Sequence, residues 1–368
     1  MLELSFTVII SFNKTLKAGE TVKLSYSDEK KMLKNVLEKI PGSLCEFVDS
    51  NGNILQGKWK LKKIGTVSFS ALVMKDASPK KVRDAIDDLK MQKRDLRIVM
   101  APYISEASAA VCRENGAGCC DLSGNCLIMM DGVYLSDHGH PNLFKRDRAA
   151  GNLFRNTSET TSVILRKLLE DPELKWRLKY LAEACRCSIG MVSRVKEYLL
   201  DEEWAVMDEN GFYLTDPKAL LKAWSEAYQV PAVKTVHAYT LDQPAVFEGK
   251  CAEVYQKKRI AGFLTGFSGG ARYAPVVRYN KVHLWITDDD LDAFMNGTGC
   301  KEVDSGANVV IYVLDRKDIL SDSRIIGGNP VVSPVQAYLD LMRLSGRGEE
   351  MAEEISRKEI LMRFMMKI

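Results

Sequence analysis

An excess of charge of either sign is missing from this chain: 52 Lys and Arg against 49 Asp and Glu leave a net +3 over 368 residues. Such a balance gives no bulk attraction to nucleic acid or to an anionic membrane, so any DNA affinity has to come from local patches. Long apolar runs are missing as well. Stretches such as Phe6 to Ile10 fall far short of the roughly 20 residues of a membrane span. The N-terminus carries Glu3 and lacks the basic, apolar, small-residue layout of a secretory signal, which points to the cytoplasm. Histidine is scarce, with four in the chain, and Asp137-His138-Gly139-His140 is the one constellation that invites a metal. A Gly-containing His pair after a strand reads more simply as an exposed loop, so neither metal nor cofactor is expected. The nine cysteines contain no C-x₂-C pair of the structural-zinc kind. Their odd number and scatter argue for reduced thiols over a disulfide framework. No internal repeat or low-complexity tract is visible.

The length predicts two or three domains with sizeable cores, and three blocks emerge. Residues 1 to 150 alternate strands and helices. Strands are expected at Leu2–Phe12, Thr21–Tyr26, Val67–Met74, Leu96–Met100, Gly118–Asp121 and Cys126–Met130, with helices at Glu29–Lys39, Pro79–Lys93 and Ser105–Glu114. Pro231 and Pro244 bracket a boundary between residues 158–228 and a last block, 240–368, that again mixes α and β. The expected fold class is α/β and α+β, multidomain.

The most informative stretch is 176–215. Leu178, Leu181 and Ala182 line one face of a short helix, a polar break follows at Cys185-Arg186-Cys187, and Ser188 stands where an N-cap belongs. Ile189, Val192, Val195 and Leu199 then repeat at helical spacing. Strand candidates Trp204–Met207 and Phe212–Leu214 flank Asp208-Glu209-Asn210-Gly211, a turn that makes a hairpin. Two helices, a tight turn and a hairpin form a winged helix-turn-helix, which lays its second helix in the DNA major groove. On that reading Ser188, Gly190, Met191 and Arg194 face the groove, with Arg194 the chief reader of base edges. Ser193 reaches a phosphate, Asn210 probes the minor groove from the wing tip, and Arg177 and Lys179 are phosphate contacts. One feature opposes this. From 158 to 228, ten Lys and Arg meet thirteen Asp and Glu, formally −3, a poor footprint for phosphate binding. Much of the acid lies in Asp201-Glu202-Glu203, beyond the second helix, and Lys145-Arg146-Asp147-Arg148 with Arg155 supply cations upstream.

The run Val67 to Lys75, the helix after it, Leu96 to Tyr103, Glu106 to Glu114 and Gly116 to Leu122 resemble the second half of the restriction-endonuclease-like fold. In that superfamily a D/E-x-K triplet on a strand holds Mg²⁺ and orients water. The corresponding triplet here is Val73-Met74-Lys75, and valine cannot ligate a metal. Asp49 alone, as an upstream acid, does not make a cleavage site, and Asp121 lies on a strand where the fold has no ligand role.

Several segments together resemble the AbiEi-like winged-helix antitoxins and transcriptional regulators of type IV toxin-antitoxin systems. They are Ala101–Ser105, Asp121-Leu-Ser-Gly-Asn125, the winged helix through Asp216 and Trp224, Leu264–Ser268, Gly306–Val310, Val331–Leu341 and Arg347–Glu350. The resemblance implies a non-enzymatic repressor bound to double-stranded operator DNA of its own operon. It also implies a nucleotidyltransferase-type toxin encoded nearby. A homodimer suits a two-fold operator. Unlike the simplest members, this chain carries the winged helix internally.

Nucleotidyltransferases place a Gly-Ser pair before a D-x-D or D-x-E strand. Here Phe267-Ser268-Gly269-Gly270 precedes Val282–Ile286, which has no acid, and Asp288-Asp289-Asp290 reads as a helix start. The last block is therefore expected to serve interaction or dimerisation. Two rivals to the repressor remain: a Mg²⁺-dependent nuclease targeted by the winged helix, and a protein-interaction scaffold without DNA binding.

Overall fold

The apolar run at Val67 forms the third strand of a seven-stranded sheet, in a computed structural model that describes residues 26–143, 153–154, 158–314 and 316–362. The strands expected in the first 25 residues, and Lys145, Arg146, Arg148 and Arg155, lie outside the described residues. The chain forms two compact units, residues 1–151 with 201–203, and residues 152–200 with 204–368.

In the first unit, α1 (Tyr26–Leu37) precedes β1 (Leu44–Asn51), β2 (Ile54–Leu61) and β3 (Gly65–Val73). Then come α2 (Pro79–Lys90), β4 (Leu96–Ala101), α3 (Glu106–Glu114), β5 (Gly118–Asp121), β6 (Cys126–Met130) and β7 (Val133–Asp137). The sheet runs in sequence order, β1 to β7. Pairing is antiparallel from β1 to β3, parallel through β4 and β5, and antiparallel again to β7. Parallel pairs need crossovers, and α2 and α3 supply them. Strand alternation sends Phe69, Ile98 and Cys120 into a core with α1, and Leu72, Val99 and Cys119 into a core with α2 and α3. The unit is therefore a three-layer α/β/α structure, and the chain as a whole is α/β multidomain as expected. A turn at Gly52-Asn53 was expected from sequence and joins β1 to β2, but β1, β2 and β7 themselves were not expected as strands. Val73 ends β3, Lys75 beyond it is exposed, and Asp49 is exposed on β1.

Asp121 closes the β5–β6 turn. Its carboxylate accepts from Ile104 N, Asn125 N and Asn125 Nδ2 at 2.8–2.9 Å, and it is 1% exposed. The Asp-Leu-Ser-Gly-Asn segment is thus a backbone clamp, with Gly124 at φ +107° completing the turn.

The second unit opens with α4 (Glu159–Glu170), α5 (Leu178–Ala184) and α6 (Ile189–Asp201). β8 (Ala205–Asp208), β9 (Gly211–Leu214) and α7 (Pro217–Ala227) follow. Next are β10 (Ala232–Tyr239), α8 (Pro244–Lys258), β11 (Gly262–Thr265), α9 (Gly266–Tyr273), β12 (Val282–Thr287) and α10 (Asp288–Thr298). The chain continues through β13 (Lys301–Glu302), β14 (Val309–Leu314), β15 (Arg324–Ile326), β16 (Asn329–Val331), α11 (Pro334–Leu341) and α12 (Gly348–Ile355). The second sheet has the order β13-β10-β14-β12-β11-β16-β15. Asp288, Asp289 and Asp290 do occupy the first turn of α10.

Two helical groups cover opposite faces of this sheet. Asp340 of α11 reaches Thr265 and Trp285 on one face. On the other, Gly262 leaves room for the Tyr255 ring of α8, 2.2 Å from where a Cβ would stand. One continuous core runs from Phe154 to Leu361. The stretch between Pro231 and Pro244, expected as an exposed boundary, instead contains β10, hydrogen-bonded between β13 and β14. Its alternation, with Val236 and Ala238 buried and Thr235 and His237 exposed, is the period-2 signal that the flanking prolines obscured.

Candidate nucleic-acid interface

Within the second unit the order α4, α5, α6, β8, β9 is that of a winged helix-turn-helix. A backbone bridge joins Trp176, just before α5, to Phe212 in β9, through Trp176 N to Phe212 O at 2.8 Å and Phe212 N to Trp176 O at 2.9 Å. This isolated bridge ties the wing to the segment that leads into α5. Leu181, Ala182, Val192, Val195 and Leu199 bury against Ile164, Leu165 and Leu168 of α4, so the apolar stripes read from sequence are the inner faces of the motif.

The turn between α5 and α6 is made by Arg186 at φ +50°, a left-handed conformation more often given to glycine. Ser188 caps α6, its Oγ accepting from Met191 N at 3.3 Å. At the wing tip, Asp208 Oδ1 accepts from Asn210 N and Gly211 N, forming an Asx turn that fixes the hairpin.

Of the residues expected to meet DNA, Arg177, Lys179, Ser188, Gly190, Arg194 and Asn210 are exposed. Arg177 is the N-cap residue of α5. Lys179 lies 4.0 Å from Glu183 on the same helix. Arg194 makes no ion pair among the described residues, so its guanidinium is not committed to Glu197, which accepts from Ser193 Oγ at 3.3 Å. Two expectations need correction. Met191, expected to face the groove, is half-buried and packs on the core, because it stands one position before the buried Val192. Ile189, read as part of the inner stripe, is 52% exposed, because the stripe begins one turn later at Val192. Exposed apolar side chains at the start of such a helix suit contact with a thymine methyl. Arg186 and Tyr180, also exposed, were not singled out from sequence; a cation in the inter-helix turn was the available signal.

Lys175 Nζ lies 2.5 Å from Asp208 Oδ2 and 4.5 Å from the Tyr213 ring centre. The Lys175 hydrogen bond holds the Asp208 carboxyl below its usual range.

Beneath the motif, a buried polar network joins it to the second sheet. Arg166 of α4 donates to Ser162 Oγ at 3.1 Å and Gln336 Oε1 at 2.5 Å, and its guanidinium lies over the Trp224 ring. Asp340 accepts from Thr265 Oγ1, Trp285 Nε1, Tyr228 OH and Gln336 Nε2 at 2.5–2.9 Å. Burial pushes the Asp340 carboxyl up, against four hydrogen bonds that pull it down.

No group of three or more potential metal ligands occurs among the described residues. His140 Nε2 sits 2.8 Å from Asp137 Oδ1, and Asp137 also pairs with Lys39. All nine cysteines are free thiols, and no described helix is long and apolar enough to cross a membrane.

Residues 213–362 match the family model described as transcriptional regulator, AbiEi antitoxin, type IV TA system. Over that segment the chain is similar to the family of antitoxins and transcriptional regulators that the sequence resemblance named. The match begins in the wing and covers the second sheet and its helices; α5 and α6 lie before it. No curated protein and no solved structure matches the chain.

Proposed function

We propose that this protein is a DNA-binding transcriptional regulator of the antitoxin type, acting through α6 on an operator of its own operon. The observation that carries the reading is the capped, exposed N-terminal end of α6, where Ser188, Ile189, Gly190 and Arg194 stand clear of a helical core closed by its own wing. That end has the helix dipole's positive pole and an uncommitted guanidinium, both suited to a DNA duplex. The family of residues 213–362 supports the regulatory role and a toxin partner. A nucleotidyltransferase-type gene beside this one would fit that partner, and a homodimer would fit a two-fold operator.

A nuclease reading finds little support in the first unit. Val73 occupies the carboxylate position, and Asp121 is spent on its turn. The test is fluorescence anisotropy on promoter DNA against a random duplex. Binding to the promoter that is at least a hundredfold tighter supports the reading. Equal binding to both, or none, contradicts it.

A further inference from the structure

The face of the second sheet that carries His283 and Trp285 holds a groove of about 500 Å³ where it meets β10 and β14. Its floor follows from strand register. His237, Val310 and His283 stand side by side on β10, β14 and β12, and Tyr312 lies two residues along from Val310 on the same face. The rim is basic: Arg278 and Lys281 come from the segment leading into β12, and Arg347 from the start of α12. Among the described residues, no acidic side chain lines the groove. Arg347 is held by Glu350, whereas Arg278 and Lys281 are exposed and make no ion pair among the described residues.

His283 is the unusual member. It is 4% exposed, and its Nδ1 has no hydrogen-bond partner among the described residues. Burial and the nearby Lys281 lower its pKa to about 4, so the ring is neutral near pH 7. The ring stacks with Tyr312 at 19° and 6.5 Å and tilts against Phe267 at 5.9 Å. A buried polar atom without a partner is costly and rare. A ligand that supplied one would recover that cost. An aromatic floor, a buried ring nitrogen without a hydrogen-bond partner and two uncommitted cations together ask for a planar heterocycle carrying an anion. The volume suits a molecule of a few hundred daltons.

We propose that this groove binds a free nucleotide, with its phosphates against Arg278 and Lys281 and its base against the aromatic row at His283 and Tyr312. The site lies apart from α6 and does not depend on the DNA-binding reading.

Isothermal titration of the full chain with ATP, GTP and inorganic phosphate tests it. One saturable nucleotide site is expected, with phosphate binding more weakly and in competition. The double variant Arg278→Ala/Lys281→Ala alters only exposed side chains and should weaken both ligands by about tenfold or more. His283→Phe keeps the ring stack and removes the nitrogen, and should weaken the nucleotide but not phosphate. Three results would overturn the proposal: no saturable nucleotide binding up to millimolar concentration, binding unchanged in the double variant, or capture of single-stranded oligonucleotides without mononucleotides. Equal loss of nucleotide and phosphate in His283→Phe would overturn the placement of the base.

Discussion

Arg166 Nη2 donates to Gln336 Oε1 at 2.5 Å, so the first helix of the winged motif is fastened to α11 across 170 residues of sequence. Both side chains are buried, and Gln336 passes the connection on to Tyr228 and Asp340. Breaking such a network by removing one partner leaves the remaining polar groups desolvated and unpaired. Arg166→Leu is therefore expected to destabilise the protein by about 3 kcal/mol. Guanidinium denaturation measures the loss, and hydrogen exchange should show protection falling in α4 and α11 together. A loss under about 0.5 kcal/mol, the size of an ordinary surface substitution, would mean the network is energetically idle.

His283 carries a pH dependence of definite sign. Its folded pKa of about 4 lies below the ordinary 6.5, so the unfolded chain takes up a proton there more readily than the folded one. Stability from this group is present above pH 6.5 and is lost as pH falls through that value toward 4. Between pH 7.5 and pH 5 the expected loss is roughly 2 kcal/mol. Urea titrations at the two pH values should show that loss in the native protein and a smaller one in His283→Phe. An identical pH response in both would contradict the assignment.

Ser188 and Ile189 separate folding from recognition. Ser188→Ala removes the cap of α6 and should cost about 1 kcal/mol of stability. Ile189→Ser changes a side chain that is 52% exposed, so thermal stability should stay nearly unchanged while affinity for the preferred duplex falls. Thermal melts and anisotropy titrations on the same samples check both; a large stability loss in Ile189→Ser would return this residue to the core.

The two helices and the hairpin of residues 176–215 were legible in the sequence because their signals are local. The spacing of Val192, Val195 and Leu199, the serine before α6 and the Asp-Glu-Asn-Gly turn each need only a few neighbouring residues. Strand β10 was less legible, because two prolines bracket it and half its side chains face outward. The Arg166–Gln336–Asp340 network was not read at all. Its one signal was Gln336 and Asp340, four apart in an otherwise apolar helix whose eight residues are all buried. Polar residues at that spacing on a buried helix need partners from elsewhere, and only the tertiary structure identifies them. The outward turn of Ile189 depends on where α6 begins, the least certain property of any helix read from sequence.

Lys179 should behave as a phosphate contact that positions without reading. Its exposed pairing with Glu183 is weak and solvent-screened. Lys179→Ala is expected to weaken promoter and random duplex equally, and to reduce the slope of log affinity against log salt by about one charge. Titrations at 50 and 200 mM salt check this. A loss confined to the promoter would make Lys179 a sequence reader instead.

The recognition role of α6 is tested most directly by Arg194→Ala, titrated on the promoter and on a random duplex of equal length. A bidentate contact from Arg194 to a guanine predicts a loss of about 1–3 kcal/mol on the promoter and little on the random duplex. Equal, small losses on both would show that Arg194 reads no sequence, and would remove α6 from the DNA groove.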